Sequence, residues 1–195
     1  MEGQTGDRVG IEVRIPKGLT WNSLGSGQRS IRLEVTVPAN TRLQAYTGDG
    51  NVVVTGLKGE VRVETGDGNM IGNGLSGRLE AKSGDGNIRV AGRFDAVEVI
   101  TGDGNVELDA SAGSTAGGAW RVRTGDGNIR LKLPSDLKAD VDATSGDGRV
   151  SSDLPMVVGA GKIGGHQLRG KLNGGGPTVT VRTGDGNIHL ASAGR

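Results

Sequence analysis

One hexapeptide sets the terms for this chain: Thr47-Gly48-Asp49-Gly50-Asn51-Val52 returns, with Ser for Thr, Ile or Met for Val and one Arg for Asn, at 65–70, 83–88, 101–106, 124–129, 145–150 and 183–188. The first glycines of the seven copies, from Gly48 to Gly184, are separated by 18, 18, 18, 23, 21 and 38 residues. A short period of this kind marks one supersecondary unit stacked on copies of itself, because so small a unit cannot bury its apolar face alone.

Each period holds two runs in which apolar and polar residues alternate. After the Gly-Asp-Gly-Asn, the next and third residues are apolar in most copies: Val52 and Val54, Ile88 and Val90, Val106 and Leu108, Ile129 and Leu131, Ile188 and Leu190. The second run supplies Val61 and Val63, Leu79 and Ala81, Val97 and Val99, Trp120 and Val122, Val141 and Ala143, Val179 and Val181. A period of two puts these residues on one face of a strand. With one Phe and one Tyr against 38 Gly, the chain lacks bulk for a sandwich core, whereas a thin stacked core needs little. The expected fold is all-β, a β-solenoid (single-stranded β-helix) with two short strands per coil of roughly 18 residues. An antiparallel β-meander is the alternative, since Asp-Gly also signals a hairpin. Outward charges suit both. Stacking sets Arg89, Glu107 and Arg130 in one column and Asp109, Lys132 and Asp153 in another, while hairpins would set Arg89 opposite Glu98 and Glu107 opposite Arg121.

Residues 1–47 are expected to form N-terminal capping strands and a loop, with 48–195 as one continuous run of repeats. Val9, Ile11, Val13 and Ile15 alternate up to Pro16, 17–30 is a loop with Trp21 in it, and Ile31, Leu33, Val35 and Val37 alternate again before the turn Pro38-Ala39-Asn40. Within the repeats, 111–119 and 134–137 lengthen the second turn, 156–165 is a Gly-rich loop, 167–172 is a strand, and Gly174-Gly175-Gly176-Pro177 replaces a Gly-Asp-Gly. Nothing after Leu190 is large enough to cover a strand edge. The C-terminal edge is therefore expected to stay open and to pair with another copy.

Stacking would place Asp49, Asp67, Asp85, Asp103, Asp126, Asp147 and Asp185 in a column, each carboxylate accepting backbone N–H groups of its own turn while the flanking glycines supply positive φ. Calcium between coils is the competing reading, but one Asp and one Asn per turn are few ligands; no metal and no cofactor is expected. Asn51, Asn69, Asn87, Asn105, Asn128 and Asn187 would form an amide ladder, with Asn187 at its end. The Thr or Ser that opens each copy points inward, its hydroxyl toward backbone. His166 and His189 have no Ser or carboxylate at a catalytic spacing in sequence. No enzyme is expected: the alternative, a carbohydrate-active enzyme on a β-helix scaffold, needs acidic or basic groups converging in an outer cleft, and here the outward charges alternate in sign; the glycine-rich turns lead into no helix, which excludes a phosphate loop, and zero cysteines exclude a thiolate site. A formal charge of +1 argues against nucleic acid as partner, and no apolar run reaches the length of a transmembrane segment.

The Gly-Asp-Gly-Asn turns, the approach Val35-Thr36-Val37-Pro38-Ala39-Asn40-Thr41-Arg42-Leu43 and the closing Thr180-Val181-Arg182-Thr183-Gly184-Asp185-Gly186-Asn187-Ile188 resemble a bacterial family of β-strand-repeat domains of unknown function that goes by the name adhesin. The resemblance spans about 31–190. It implies a β-solenoid with no shared catalytic set, found in the cell envelope or secreted, which presents a repetitive surface to an unknown partner or to its own kind. Two copies depart from the pattern: Arg149 stands in the Asn position of the sixth, and Gly72 and Asn73 stand where the second should have an inward apolar residue and its neighbour.

Overall fold

The computed structural model describes residues 2–5, 8–12, 31–161 and 165–193. They contain no helix. The strands are β1 (Glu2–Thr5), β2 (Arg8–Ile11), β3 (Leu43–Thr47), β4 (Val52–Thr55), β5 (Lys58–Thr65), β6 (Met70–Ser83), β7 (Ile88–Ile100), β8 (Val106–Ala110), β9 (Trp120–Arg123), β10 (Ile129–Leu133), β11 (Ala139–Ser145), β12 (Val150–Ser152), β13 (Val157–Gly161), β14 (Gln167–Leu172), β15 (Thr178–Thr183) and β16 (Ile188–Ser192). Two compact units result, 1–36 and 37–195. In the first, β1 and β2 pair antiparallel. Val13, Ile15, Pro16 and the loop 17–30 with Trp21 lie outside the described residues. The alternation of Ile31, Leu33, Val35 and Val37 does not yield the expected strand: all four side chains are exposed and the stretch belongs to no ladder.

The second unit is a curled sheet of fourteen strands. Segments one repeat apart pair in parallel, residue for residue: Val61 opposes Leu79, Ile88 opposes Val106, and Val106 opposes Ile129. Hairpin pairing of the repeats is not what forms. Arg89 reaches Glu107 at 2.6 Å and Arg121 reaches Glu98 at 3.3 Å, the partners that parallel stacking requires. Two columns of strands arise, one from the run after each Gly-Asp-Gly and one from the run before it. β6 and β7 are long enough to pass through the corner between the columns and belong to both.

Alternation then builds the core. The inward residues of both columns, among them Val61, Val63, Leu79, Val99, Leu108, Val122, Leu131 and Val181, are buried in one cluster, each contributing roughly 1.5–3 kcal/mol where a Val, Leu or Ile leaves water. Phe94 meets Trp120 edge to face, with centroids 6.5 Å apart. The departure at Gly72 has a packing reason. A Cβ there would come within 2.8 Å of Leu75 Cδ1 and 3.0 Å of Val90 Cγ1, so Leu75 fills the space from three residues on.

At one end the strands do not stack in chain order. β15 lies between β9 and β11, and β16 lies between β10 and β12. The chain leaves β10, passes over one level, lays down β11 and β12, turns back through β13 and β14, and fills the level it passed with its last two strands. The expected open C-terminal edge is thereby corrected: the last strand is paired with β10 along its length and with β12 over Ile188–Leu190, and β14 lies antiparallel on β11 with β13 beyond it. Part of the expected 156–165 loop is strand β13, the outermost of that end.

Candidate functional site

The repeated corner is held by hydroxyls rather than carboxylates. Thr124 Oγ1, almost wholly buried, donates toward the carbonyls of Gly102 at 3.1 Å and Gly104 at 2.8 Å in the level beneath, and accepts the N–H of Gly127 at 3.3 Å. Thr65, Ser83, Ser145 and Thr183 repeat the full arrangement, and Thr101 donates in the same way. These groups satisfy backbone that the curl takes out of water. The seven aspartates are all exposed. Among the described residues none of their carboxylates has a hydrogen bond or ion pair, so the turn-satisfying role expected of them is carried out by Thr and Ser.

Glycine is also needed for another reason than the one expected. None of the Gly-Asp-Gly glycines has a positive φ. A Cβ on Gly86 would instead collide with the carbonyl oxygen of Gly68, and one on Gly186 with that of Gly127. The corners stack so closely that only hydrogen fits.

Beside the corner runs the amide ladder. Asn69 donates its backbone N–H at 2.8 Å and its side-chain N–H at 3.2 Å to Asn51 Oδ1, and the pattern climbs through Asn87, Asn105, Asn128 and Asn187. It stops at Arg149, whose backbone N–H donates to Asn187 Oδ1 at 3.0 Å. Arg149 has no amide oxygen to offer a further level. The ladder therefore ends at its copy, which agrees with the stacking of the seventh copy beneath the sixth.

The ladder forms one bank of an open trough whose other bank is the outward column Val53, Ile71, Arg89, Glu107, Arg130 and His189. Val53 is 65% exposed and Ile71 39%, so one end is apolar. In the middle Arg89 and Glu107 pair. The Arg130 guanidinium has no hydrogen bond or ion pair among the described residues. In the second outward column Lys132 reaches Asp109 at 2.9 Å, but Ala191, not Asp153, stands opposite Lys132.

The inserted level creates one cluster that spacing along the chain conceals. Ser151 and His189 are direct cross-strand partners. Ser151 Oγ lies 3.0 Å from His189 Nδ1, and His189 Nε2 lies 3.3 Å from Asp153 Oδ2. With Nε2 carrying a proton toward Asp153, Nδ1 is left to accept the single Ser151 hydroxyl proton, which in its other rotamer goes to the Ile188 carbonyl at 3.2 Å. Spacing along the chain offers His189 no Ser or carboxylate at a catalytic distance, and only the order of the strands could have announced these partners. His166 sits elsewhere, with Nδ1 2.7 Å from the Gly148 carbonyl oxygen.

On the other column Asp142 ties the inserted strand to its neighbours. Its Oδ2 accepts from Arg182 Nη2 on β15 at 2.8 Å and its Oδ1 from Arg169 Nε on β14 at 3.3 Å. The hydrogen bond from Arg182 holds the Asp142 carboxyl below the usual carboxylate range, against partial burial that pushes it up.

Among the described residues no group of three His, Cys, Asp or Glu side chains is placed to hold a metal ion, and no helix is long and apolar enough to cross a membrane. A family model described as Toastrack DUF4097 matches residues 4–191, almost the whole chain. No curated protein and no solved structure matches.

Proposed function

We propose that this chain, which belongs to the Toastrack DUF4097 family, is a noncatalytic β-solenoid module of the cell envelope or the secreted fraction, adhesin-like in presenting a repetitive face to a partner or an assembly. The solenoid reading draws on parallel pairing of both strands of successive repeats at an offset of 18 residues, as in Val52 with Met70 and Val61 with Leu79. The envelope and secreted placement draws on the sequence resemblance. The trough carries the surface role. Its amide bank offers one side-chain N–H per level beyond those used in the ladder, at a strand spacing of about 4.8 Å, next to the exposed Val53 and Ile71 and the uncommitted Arg130. A rigid row of equally spaced donors suits an extended ligand with a repeating acceptor.

The test is retention of the source organism's envelope fraction on the immobilised chain, compared with a Val53→Asp, Arg130→Glu variant that folds. Retention should fall at least tenfold. Equal retention by the variant would remove the trough from the proposal.

One observation favours a second reading, a carbohydrate-active enzyme that cleaves an ester: the contact of Ser151, His189 and Asp153 at the end of the trough. Ser151 Oγ would attack the acyl carbon as its proton passes to His189 Nδ1, the leaving alcohol would take that proton, and water would then release the acid. A fluorophosphonate probe decides the matter. Labelling of Ser151 that His189→Ala abolishes would support this reading, and an unlabelled protein would end it.

A further inference from the structure

We propose that the level formed by β15 and β16 is exchangeable between copies, so that a second copy of this chain can supply it and two chains close into a strand-swapped dimer. The inference goes beyond the surface role above and stands without it. The two strands come last in sequence yet occupy an interior level, with β9 and β10 on one side and β11 and β12 on the other. Everything that contacts them on both sides is made earlier in the chain. Until they arrive, four strand edges and the inward residues Trp120, Val122, Val141 and Ala143 face an unfilled slot, and an edge of this kind is a template for any strand of matching pattern. The slot is also selective. It needs an Asn that donates to Asn128 and accepts from Arg149, and buried residues at 179, 181, 188 and 190, all of which the same segment of another copy provides.

The link into this level supplies the hinge. Asn173, Gly174 and Gly175 have φ of 49°, 89° and 87°, three successive left-handed residues of which one is not glycine. Gly175 also lies against Asp140 Oδ1, a carboxylate oxygen buried without a hydrogen-bond partner. Opening at Gly174 and Gly175, which turn freely, frees the buried Asp140 oxygen and leaves Asn173 holding the Ser135 and Leu137 carbonyls at 2.8 Å each, while every contact within the level is recovered in the other chain. Closure within one chain keeps the advantage of an effective concentration on the order of millimolar. The exchanged form is therefore reached on refolding or assembly at high local concentration.

Two full-length variants test this, each with a lone cysteine: Arg121→Cys on β9 and Thr180→Cys on β15, positions that are direct cross-strand partners. Mixed, unfolded and refolded together, then treated with a short bismaleimide, they should give a linked heterodimer whose yield rises with protein concentration. Deleting Gly175, which shortens the turn needed for closure within one chain, should raise that yield several-fold. The double variant must link within a single chain. If it does and no heterodimer forms at any concentration, exchange does not occur; if the double variant fails to link, β15 is not beside β9 and the inference falls with its premise. Neither result alters retention of the envelope fraction, which tests the surface role separately.

Discussion

Asn187 donates to Asn128 Oδ1 through its backbone N–H at 2.9 Å and its side-chain N–H at 3.3 Å, across 59 residues of chain. Its own oxygen accepts from Arg149, which makes it an inner link of the ladder although it lies near the C-terminus. Asn187→Val should therefore cost nearly as much stability as Asn105→Val, the Asn105 oxygen accepting one bond more, on the order of 1 kcal/mol each in urea unfolding. A loss at Asn105 alone would put Asn187 at a frayed end and contradict the strand order.

The corner hydroxyls should matter more. Thr124→Val keeps the shape but strips the Gly102 and Gly104 carbonyls and the Gly127 N–H of a buried partner, a loss of about 1–3 kcal/mol. Thr124→Ser keeps the hydroxyl and should retain most of that. A loss in Thr124→Ser with none in Thr124→Val would mean that the methyl group, not the hydrogen bond, is what counts.

Two glycines of the same motif should respond in opposite ways. Gly104→Ala drives a methyl into the Gly86 carbonyl and should cost about 3 kcal/mol or more, as overpacking does. At Gly48, where a Cβ would meet nothing within 4 Å, alanine should change stability by less than about 0.5 kcal/mol. Thermal melts of the pair are sufficient. Equal tolerance would rule out close stacking as the reason for glycine.

Acid should weaken the tie between β11 and β15. Because the folded Asp142 carboxyl is held below its ordinary value, the stability it supplies is fully present above the unfolded value near pH 3.9 and disappears as pH falls through the lower folded one. Arg182→Gln removes the main cause of the shift. The stability gap between the parent chain and this variant should be open at pH 7 and shrink steadily below about pH 4; a gap independent of pH would assign the effect of Arg182 to packing.

The unpartnered aspartates repel one another along their column, by about 1 kcal/mol per adjacent pair before screening. Added sodium chloride should raise the melting temperature, and Asp103→Asn should raise it at low salt and less at high salt. Calcium should do no more than sodium chloride of equal ionic strength. A large rise specific to calcium would turn the column into a metal site.

What the sequence displayed was whatever repeats locally. Val61, Val63, Leu79, Ala81, Trp120 and Val122 are inward by alternation and buried in fact, and the amide ladder follows from one Asn per turn. The inward hydroxyl of each opening Thr or Ser is legible by alternation and does bond to backbone, but Asp and Thr flank the same glycine and either could satisfy a turn, so the sequence does not show that the aspartates take no part. Glycine itself hides its reason, since a positive φ and a collision with a carbonyl leave the same letter. The strand order was out of reach by periodicity, because the copies are chemically alike and the contacts of Asn128 with Asn187, or of Ser151 with His189, join distant parts of the chain. Arg149 is the one clue in the sequence, since its side chain lacks the amide that the ladder uses at every other copy.

The seventh copy beneath the sixth also governs how such a molecule can change in length. From Asn51 to Asn128 every level after the first both donates and accepts, so an 18-residue unit duplicated or lost between them leaves the joint as good as before. Past Asn128 the chain skips a level and comes back, and a unit added there would leave the returning strands one place short. Growth by duplication is thus confined to the middle of the array, while its closing end is inherited as a single piece.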